Sequence, residues 1–571
     1  MKYVAGIDLG TTNTVCYTCT ADSQEPQVLS ITMQENGFRN SQRGRDELLP
    51  SAVCIYKNKA FVGPIAKLAY KMNIPNVHSF SSIKRRMGSS WAKLINNKPW
   101  TPEKISACIL ATVRKELETK YSSLPEKLVI TVPASFGTEA RRATLAAAAI
   151  AGFAPETTSL FDEPTAALLN ALIENTQNKD ELNQTLHMII DIGGGTQDVS
   201  LLKMSYQDGK LSFDILGQSR LNELAGDDFD FNIAGLLLYR WEQHFQCSFD
   251  DWNEKENKLS KLQKIFVTEL LSEASKLKTK LSTKMNQSPR SGWVSAEETV
   301  VLPDTPKGAW SYSFTGLDLI NSLREFFPFS GDPTDRLQEF GFYRAIQECL
   351  NSANSILDYP LETFDIDKVW LAGGSAQLPL VPFAVQKLTH QKPTLINDCM
   401  YAVAKGACRY ALIKDSATIS LRERMFDGIY IQVATGQFLC LVSPKNEIPI
   451  HKSYQNILKT PEISRGIVVH LFYGATMNIE QGEILKSAAK LSPLIRKSVF
   501  FDELLPVNHP ISIEVDVNEN RNVQLQFLTS LNGRHLEGKV SVNVGGNHSF
   551  SEKGDDIILP QINIGIDSHD T

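Results

Sequence analysis

The chain has no long hydrophobic run: nowhere do 18 uncharged apolar residues follow one another, and Asp8 interrupts the opening stretch MKYVAGIDLG before a signal-peptide core could form. The expectation is a soluble, cytoplasmic protein. It also lacks an excess of positive charge, since 58 Lys and Arg against 64 Asp and Glu leave a net charge of −6. That excludes wholesale electrostatic attachment to nucleic acid or an anionic membrane and leaves polypeptides and small anions as partners. Cysteine is sparse and odd in number, nine in 571 residues, so the thiols read as reduced rather than as a disulfide framework. Cys16 and Cys19 have CxxC spacing, but they lie in a strand-like run, TNTVCYTCT, and no second CxxC or His pair completes a metal site.

Against these absences stand 42% hydrophobic residues and 34 glycines, enough for several cores in a chain of this length. Two segments resemble each other, VAGIDLGTTNTVC at the start and MIIDIGGGTQDVS around Asp191. Each is an apolar strand, an aspartate, a glycine-rich turn with threonine, and a second β-rich run. Between them, strand-like LVITVPASF and the alanine-rich TEARRATLAAAAIAGF follow an α/β grammar, which predicts a bilobed domain with a cleft between two related halves. A helix is expected from about Glu254 to Met285, and another over YAVAKGACRYAL; FFPFSGDPTD reads as a surface insertion. After about Ile413 the period changes to two, in GIYIQV, GIVVHLF, ISIEVDV, VQLQF and VSVNV, which predicts an antiparallel β-sandwich. The expected division is an α/β domain over 1–412, a linker over 413–421, a β-sandwich over 422–546 and a loosely ordered polar tail over 547–571.

The glycine-rich hairpins have a chemistry of their own. Glycines let backbone N–H groups approach a phosphate closely, and Thr11, Thr12 and Thr196 add hydroxyl donors. Asp8 and Asp191 supply negative charge suited to a hydrated Mg²⁺. Neither hairpin carries GK[ST] or the strand, loop and helix order of dinucleotide folds, so this is a different phosphate-binding device.

The motifs GIDLGTTN (6–13), IKRRMG (83–88), ITVPASF with Arg141 eight residues after Pro133, DEPTAAL (162–168), DIGGGTQDVS (191–200), AGDDFD (225–230), KTKLS (278–282) and LAGGS (371–375) occur in one order. On them the chain resembles the heat shock protein 70 (DnaK-type) chaperone family within the actin-like ATPase superfamily, over roughly its first 410 residues and more faintly beyond. The resemblance implies an α/β bilobed actin-like ATPase followed by an antiparallel β-sandwich that binds peptides. It implies ATP or ADP with Mg²⁺, and K⁺ as a further cation. Asp8 and Asp191 would hold the metal through waters, while Gly10, Thr11, Thr12, Asn13 and Gly193, Gly194, Gly195, Thr196 would wrap the phosphates. Lys84 would position the attacking water and stabilise the γ-phosphate, with Glu163, Asp198 and Thr196 around it. Lys278, Ser282, Gly373, Gly374 and Ser375 would hold the adenosine. Pro133 and Arg141 match a relay between domains, and Ile431, Ala434, Leu458, Ile467, Val469 and Leu471 fall near the peptide groove. The partners implied are unfolded client polypeptides, a J-domain protein and a nucleotide exchange factor.

The chain departs from the family pattern at definite places. Ser275 replaces a glutamate of the adenosine grip, Gln377 an arginine that stacks on the base, and Met400 an aspartate; Ala225 replaces the first glycine of a GG pair. Ser159 and Asp162 replace an arginine and an asparagine of the J-domain docking region, Ala434 a larger arch side chain, and the linker lacks its leucine-rich run. About 25 residues follow the last alternating strand where the family adds a helical lid, so a lid-less member with fast peptide exchange is expected. The leading function is an ATP-dependent chaperone. The alternatives are a nucleotide-gated scaffold for one dedicated partner and, more distantly, a filament former.

Overall fold

The structure is a computed structural model that describes the chain except residues 1, 21–22, 24, 33–44, 58, 73, 75, 176–182, 208–209, 220–223, 253–259, 328–341, 355–356, 358–359, 416–418, 426–427, 445, 475–481, 487–490, 519–522, 543–560 and 563–571. It divides into two units, one of 1–136, 144–354 and 359–420, the other of 137–143, 355–358 and 421–571.

Two sheets in the first unit carry the same local plan. In one, β1 (Tyr3–Leu9) has antiparallel β2 (Asn13–Thr20) on one side and parallel β3 (Lys127–Val132) on the other, and β4 (Thr158–Asp162) runs parallel to β3. In the other, β5 (Thr185–Ile192) lies between antiparallel β6 (Gln197–Gln207) and a parallel strand, Lys368–Ala372, and β7 (Lys210–Gln218) continues from β6. The central runs YVAGIDL and HMIIDI are buried on both faces, as strands between layers of helix must be. The duplication read from the two hairpins is therefore a duplication of whole sheets.

Helices hold these sheets through small residues. α1 (Glu163–Asn175) packs on a C-terminal helix of this unit, Ala402–Ile413, and that helix packs on β1. A β-carbon on Gly406 would sit 1.8 Å from the carbonyl oxygen of Ala166, and one on Gly6 would sit 2.2 Å from the Cys408 nitrogen. Only glycine permits these approaches, which bring the first turn of α1 to the end of the sheet. The long lysine-rich helix spans Lys261–Asn286, starting later than the periodicity suggested because Ser260 caps it, with a reciprocal Gln263–Ser260 box; residues 253–259 lie outside the described residues. The start of FFPFSGDPTD is not on the surface: Phe327 is 1% exposed, its ring 5.6 Å from that of Phe229. Aromatic pairing overrides the turn signal there, and the rest of that stretch lies outside the described residues.

The second unit is two antiparallel sheets. Gly428–Gln432, Phe438–Val442, Ser464–Gly474 and Ser492–Leu505 form one; Ile450–Lys459, Pro510–Val517, Val523–Leu531 and Arg534–Val542 form the other. Their alternating apolar side chains make one core. Gln561–Ile562 pairs with Leu458 and Lys459 as a further edge strand, so this part of the expected loose tail is ordered by ladder hydrogen bonding. Strand Ile419–Arg424 begins inside the segment read as linker. Among the described residues, no helix occurs after 421, and none anywhere is long and apolar enough to cross a membrane.

Candidate functional site

The two glycine turns face each other. The first joins β1 to β2, and a β-carbon on Gly10 would meet the Asn13 carbonyl oxygen at 2.2 Å. The second joins β5 to β6, closed by Gly193 N–H donating to Thr196 O at 2.9 Å. Helix Gly226–Phe245 fastens it from behind, Gly226 N–H reaching Gly193 O (3.1 Å) and Asp227 N–H reaching Gly194 O (2.6 Å). β-carbons on Gly194 and Gly195 would lie 2.0 Å from Thr12 Oγ1 and 2.2 Å from Thr11 Cγ2. The hydroxyls of Thr11 and Thr12 are buried and have no hydrogen-bond partner among the described residues. Donors left unsatisfied in a polar cleft cost free energy that an incoming anion recovers.

Beneath the turns lies a cluster of charge. Glu163, Asp191 and Asp198 are all under 9% exposed, Asp8 is half-buried beside them, and the cation among them is Lys84, 4% exposed and ion-paired with Glu163. Asp191 and Asp198 stand directly opposite each other across β5 and β6, an arrangement that like charges disfavour. Burial first, and then the Glu163 charge, push the carboxyls of Asp8 and Asp198 up to about 7; Asp191 is pushed well above its ordinary value by the same causes. Burial pulls the Lys84 ammonium down, but Glu163, Asp8 and Asp198 outweigh it and its pKa is raised. Each partner is set by a specific element: Lys84 by the short 3₁₀ turn Ile83–Arg86, Glu163 by the N-terminus of α1, where a carboxylate is favoured.

These residues fit a divalent cation. Four carboxylates against one ammonium leave excess negative charge in a low-dielectric site, and the donors are hard oxygens. Among the described residues no three His, Cys, Asp or Glu groups converge for direct coordination.

Sequence reasoning missed two hydroxyls here. Thr131 Oγ1 donates to Asp8 Oδ1 (3.3 Å), and Ser135 donates to Asp198 Oδ1 through both its N–H (3.2 Å) and its hydroxyl (3.1 Å). Both lie in ITVPASF, so one segment restrains a carboxylate of each hairpin. Its register beside β1, Asp8 against Thr131, was the only signal, and register is not visible in one sequence.

A cavity of about 450 Å³ opens from the turns toward helix Lys261–Asn286 and is lined by Lys278, Ser282, Gly373, Gly374 and Ser375. Lys278 Nζ donates to Gly226 O and pairs with Asp230, both at 2.8 Å, and Ser375 Oγ donates to Gly193 O at 2.8 Å. Gly373 has φ +83°, and a β-carbon there would crowd Ile192 O at 2.3 Å. The three departures Ser275, Gln377 and Met400 line the same end. Every residue read as phosphate- or adenosine-holding, except Gly195 just behind the wall, thus borders one cavity.

Other expected residues lie elsewhere. Pro133 is buried just past β3, and Arg141 is 2% exposed in helix Thr138–Ile150. Ile431, Leu458, Ile467, Val469 and Leu471 are each 0% exposed and belong to the sandwich core, so in this conformation they present no groove surface; Ala434 is exposed in the turn after Gln432. The groove expectation came from the family resemblance, and the alternation of these residues is that of any inward face. Cys16 and Cys19 are both buried free thiols whose pKa burial raises.

Duplicated mixed sheets, facing glycine turns and a buried acidic floor define an actin-like ATPase. The family model described as Hsp70 protein matches residues 91–299. The chain is 31% identical over 522 residues to the chaperone protein DnaK of Mesomycoplasma hyopneumoniae strain 7448, covering 90% of this chain and 75% of that one. It is 28% identical over 522 residues to the chaperone protein DnaK of Mycoplasma mobile, covering 90% and 74%. The chain belongs to the Hsp70 family. It is an ATP-hydrolysing chaperone of the DnaK type, of a family that binds ATP and ADP with Mg²⁺ and acts on client polypeptides.

Proposed function

We propose that hydrolysis takes place between the two glycine turns, and that the residues there divide the work as follows. Backbone N–H groups of 10–13 and 193–196, with the hydroxyls of Thr11, Thr12 and Thr196, bind the phosphates. Asp8 and Asp191 hold Mg²⁺, which supplies neutralising charge when bound. Lys84 stabilises charge on the γ-phosphate, and Glu163 and Asp198 orient the attacking water, since phosphoryl transfer gains chiefly from positioning and electrostatics. Lys278, Ser282 and the 373–375 turn hold the adenosine. The excess negative floor would also accept K⁺ beside Mg²⁺, testable by replacing K⁺ with Na⁺ during turnover.

One observation carries this reading: a buried lysine paired with one of three buried carboxylates, with half-buried Asp8 beside them, under turns whose Thr11 and Thr12 hydroxyls have no partner among the described residues. The test is single-turnover hydrolysis. Lys84→Ala should lose about 10²- to 10³-fold in rate while still binding nucleotide; a variant as fast as the parent removes the assignment.

The division into an ATPase over 1–412, a linker over 413–421 and a peptide-binding unit over 422–546 belongs to the same proposal, with Pro133 and Arg141 as the relay. So does a narrowed choice of J-domain partner. Ser159 Oγ accepts from Lys414 Nζ at 3.3 Å, and Asp162 accepts from Gln218 Nε2 at 2.9 Å, so both altered docking positions are engaged within the chain. A generic J-domain protein should stimulate turnover weakly, and an exchange factor remains the expected partner for release. The base end, with Ser275, Gln377 and Met400, offers neither carboxylate nor guanidinium from those positions, which favours weak discrimination between ATP and GTP.

A further inference from the structure

Three lysines line the cavity: Lys84, Lys278 and Lys67. Lys84 is committed to Glu163, and Lys278 to Asp230 and the Gly226 carbonyl. Lys67 is different. Its ammonium has no hydrogen-bond or ion-pair partner among the described residues, and no family motif quoted above includes it. Helix Pro64–Met72, which carries it, is oriented by Ala66 and Ala69, both under 5% exposed in a small core with Ala52 and Cys54. That packing turns Lys67 away from the core, and the helix approaches Lys261–Asn286 on the far side of the cavity.

On the helix opposite, a polar uncharged row runs beside the committed Lys278. Ser275, Thr279 and Thr283 recur at one-turn spacing and all line the cavity. Thr279 and Thr283 donate their hydroxyls to the carbonyls of Ser275 and Thr279, each at 3.0 Å, so their oxygens face a ligand as acceptors. The uncommitted cationic donor of this cavity is therefore Lys67.

Resting on the nucleotide reading of the cavity, we propose that Lys67 is a further nucleotide-binding residue, its ammonium donating to an oxygen of the bound nucleotide, and that ligand binding thereby ties helix Pro64–Met72 to helix Lys261–Asn286. The ligand oxygen is a ribose hydroxyl or a phosphate oxygen.

The test uses the full chain and isothermal titration with Mg²⁺–ADP and, separately, adenosine. Lys67→Ala should weaken ADP binding about tenfold, Lys67→Arg should restore most of it, and the melting temperature without nucleotide should stay that of the parent. A loss with ADP alone places the contact on phosphate; a loss with adenosine as well places it on the ribose. Unchanged affinity of Lys67→Ala for both ligands, with the parent binding normally, overturns this inference alone. A parent chain that binds neither ligand overturns the nucleotide reading and this inference with it.

Discussion

The two units bury side chains equally well and to opposite ends. In the sandwich, Ile431, Val469 and Leu471 are fully enclosed among Leu, Ile, Val and Phe, and each such contact lowers the free energy of the fold. In the ATPase unit, Asp191, Asp198 and Glu163 are nearly as enclosed and Asp8 is half-buried beside them, but with one ammonium among them. Burial there raises the free energy until a cation and an anion arrive. The first kind of burial makes a scaffold; the second stores a demand for ligand, and mutations should separate the two by moving stability and activity in opposite directions.

The sharpest break in the comparison is Asp191→Asn. Burial and three neighbouring carboxylates hold Asp191 well above its ordinary value, so the fold disfavours its ionised form. Hydrolysis should fall about 10²- to 10³-fold, while the nucleotide-free protein melts a few degrees higher. A lower melting temperature would show that the charge is structurally compensated after all. Leu471→Ala is the counterpart in the sandwich. Its burial predicts a loss of about 2–5 kcal/mol in chemical denaturation, with peptide affinity of the still-folded fraction near that of the parent. If affinity fell and stability did not, Leu471 would line a groove as its family position suggests.

What could be read from sequence follows the same divide. That Asp8, Asp191 and Gly194 border one cavity was legible because aspartate and glycine at matched spacing in two similar hairpins have few structural reasons to occur together, whereas Lys84 came only from the family resemblance. Ile467 and Val469 were not legible, because alternation reports only that a face is inward. Thr131 and Ser135 were hidden for another reason: hydroxyls in and after a strand look like ordinary β formers until register sets them beside a carboxylate. Phe327 and Ile562 were misjudged from their polar, proline-rich neighbours, since a single ring contact or ladder pair leaves no periodic trace.

The acidic floor also predicts a pH dependence. Asp8 and Asp198 have folded pKa values near 7 against an ordinary 3.8. A raised carboxyl pKa means the empty fold holds these protons more tightly than the unfolded chain does. Their contribution to stability is fully present below about pH 4 and is lost as pH rises through about 7. Mg²⁺–nucleotide needs the ionised forms, so its affinity should rise by about tenfold per pH unit for each proton displaced, up to about pH 7. Melting curves from pH 5 to 8, with and without Mg²⁺–ADP, should diverge as pH rises; parallel curves would mean that the floor does not meet the metal.

The smallest effect tests whether ITVPASF serves both hairpins. Ser135 restrains Asp198 through its backbone N–H as well as its hydroxyl, so Ser135→Ala removes only one of two donors. The lost bond stabilises the ionised carboxylate, and removing it should raise the Asp198 pKa further. Single-turnover hydrolysis should slow about three- to tenfold at pH 7, with nucleotide affinity unchanged and with recovery toward pH 8.5 as Asp198 ionises. A structural role alone would not give that recovery. Loss of rate that persists at high pH would place Ser135 in positioning the segment, and an unchanged rate would confine the segment's work to Thr131 and the first hairpin.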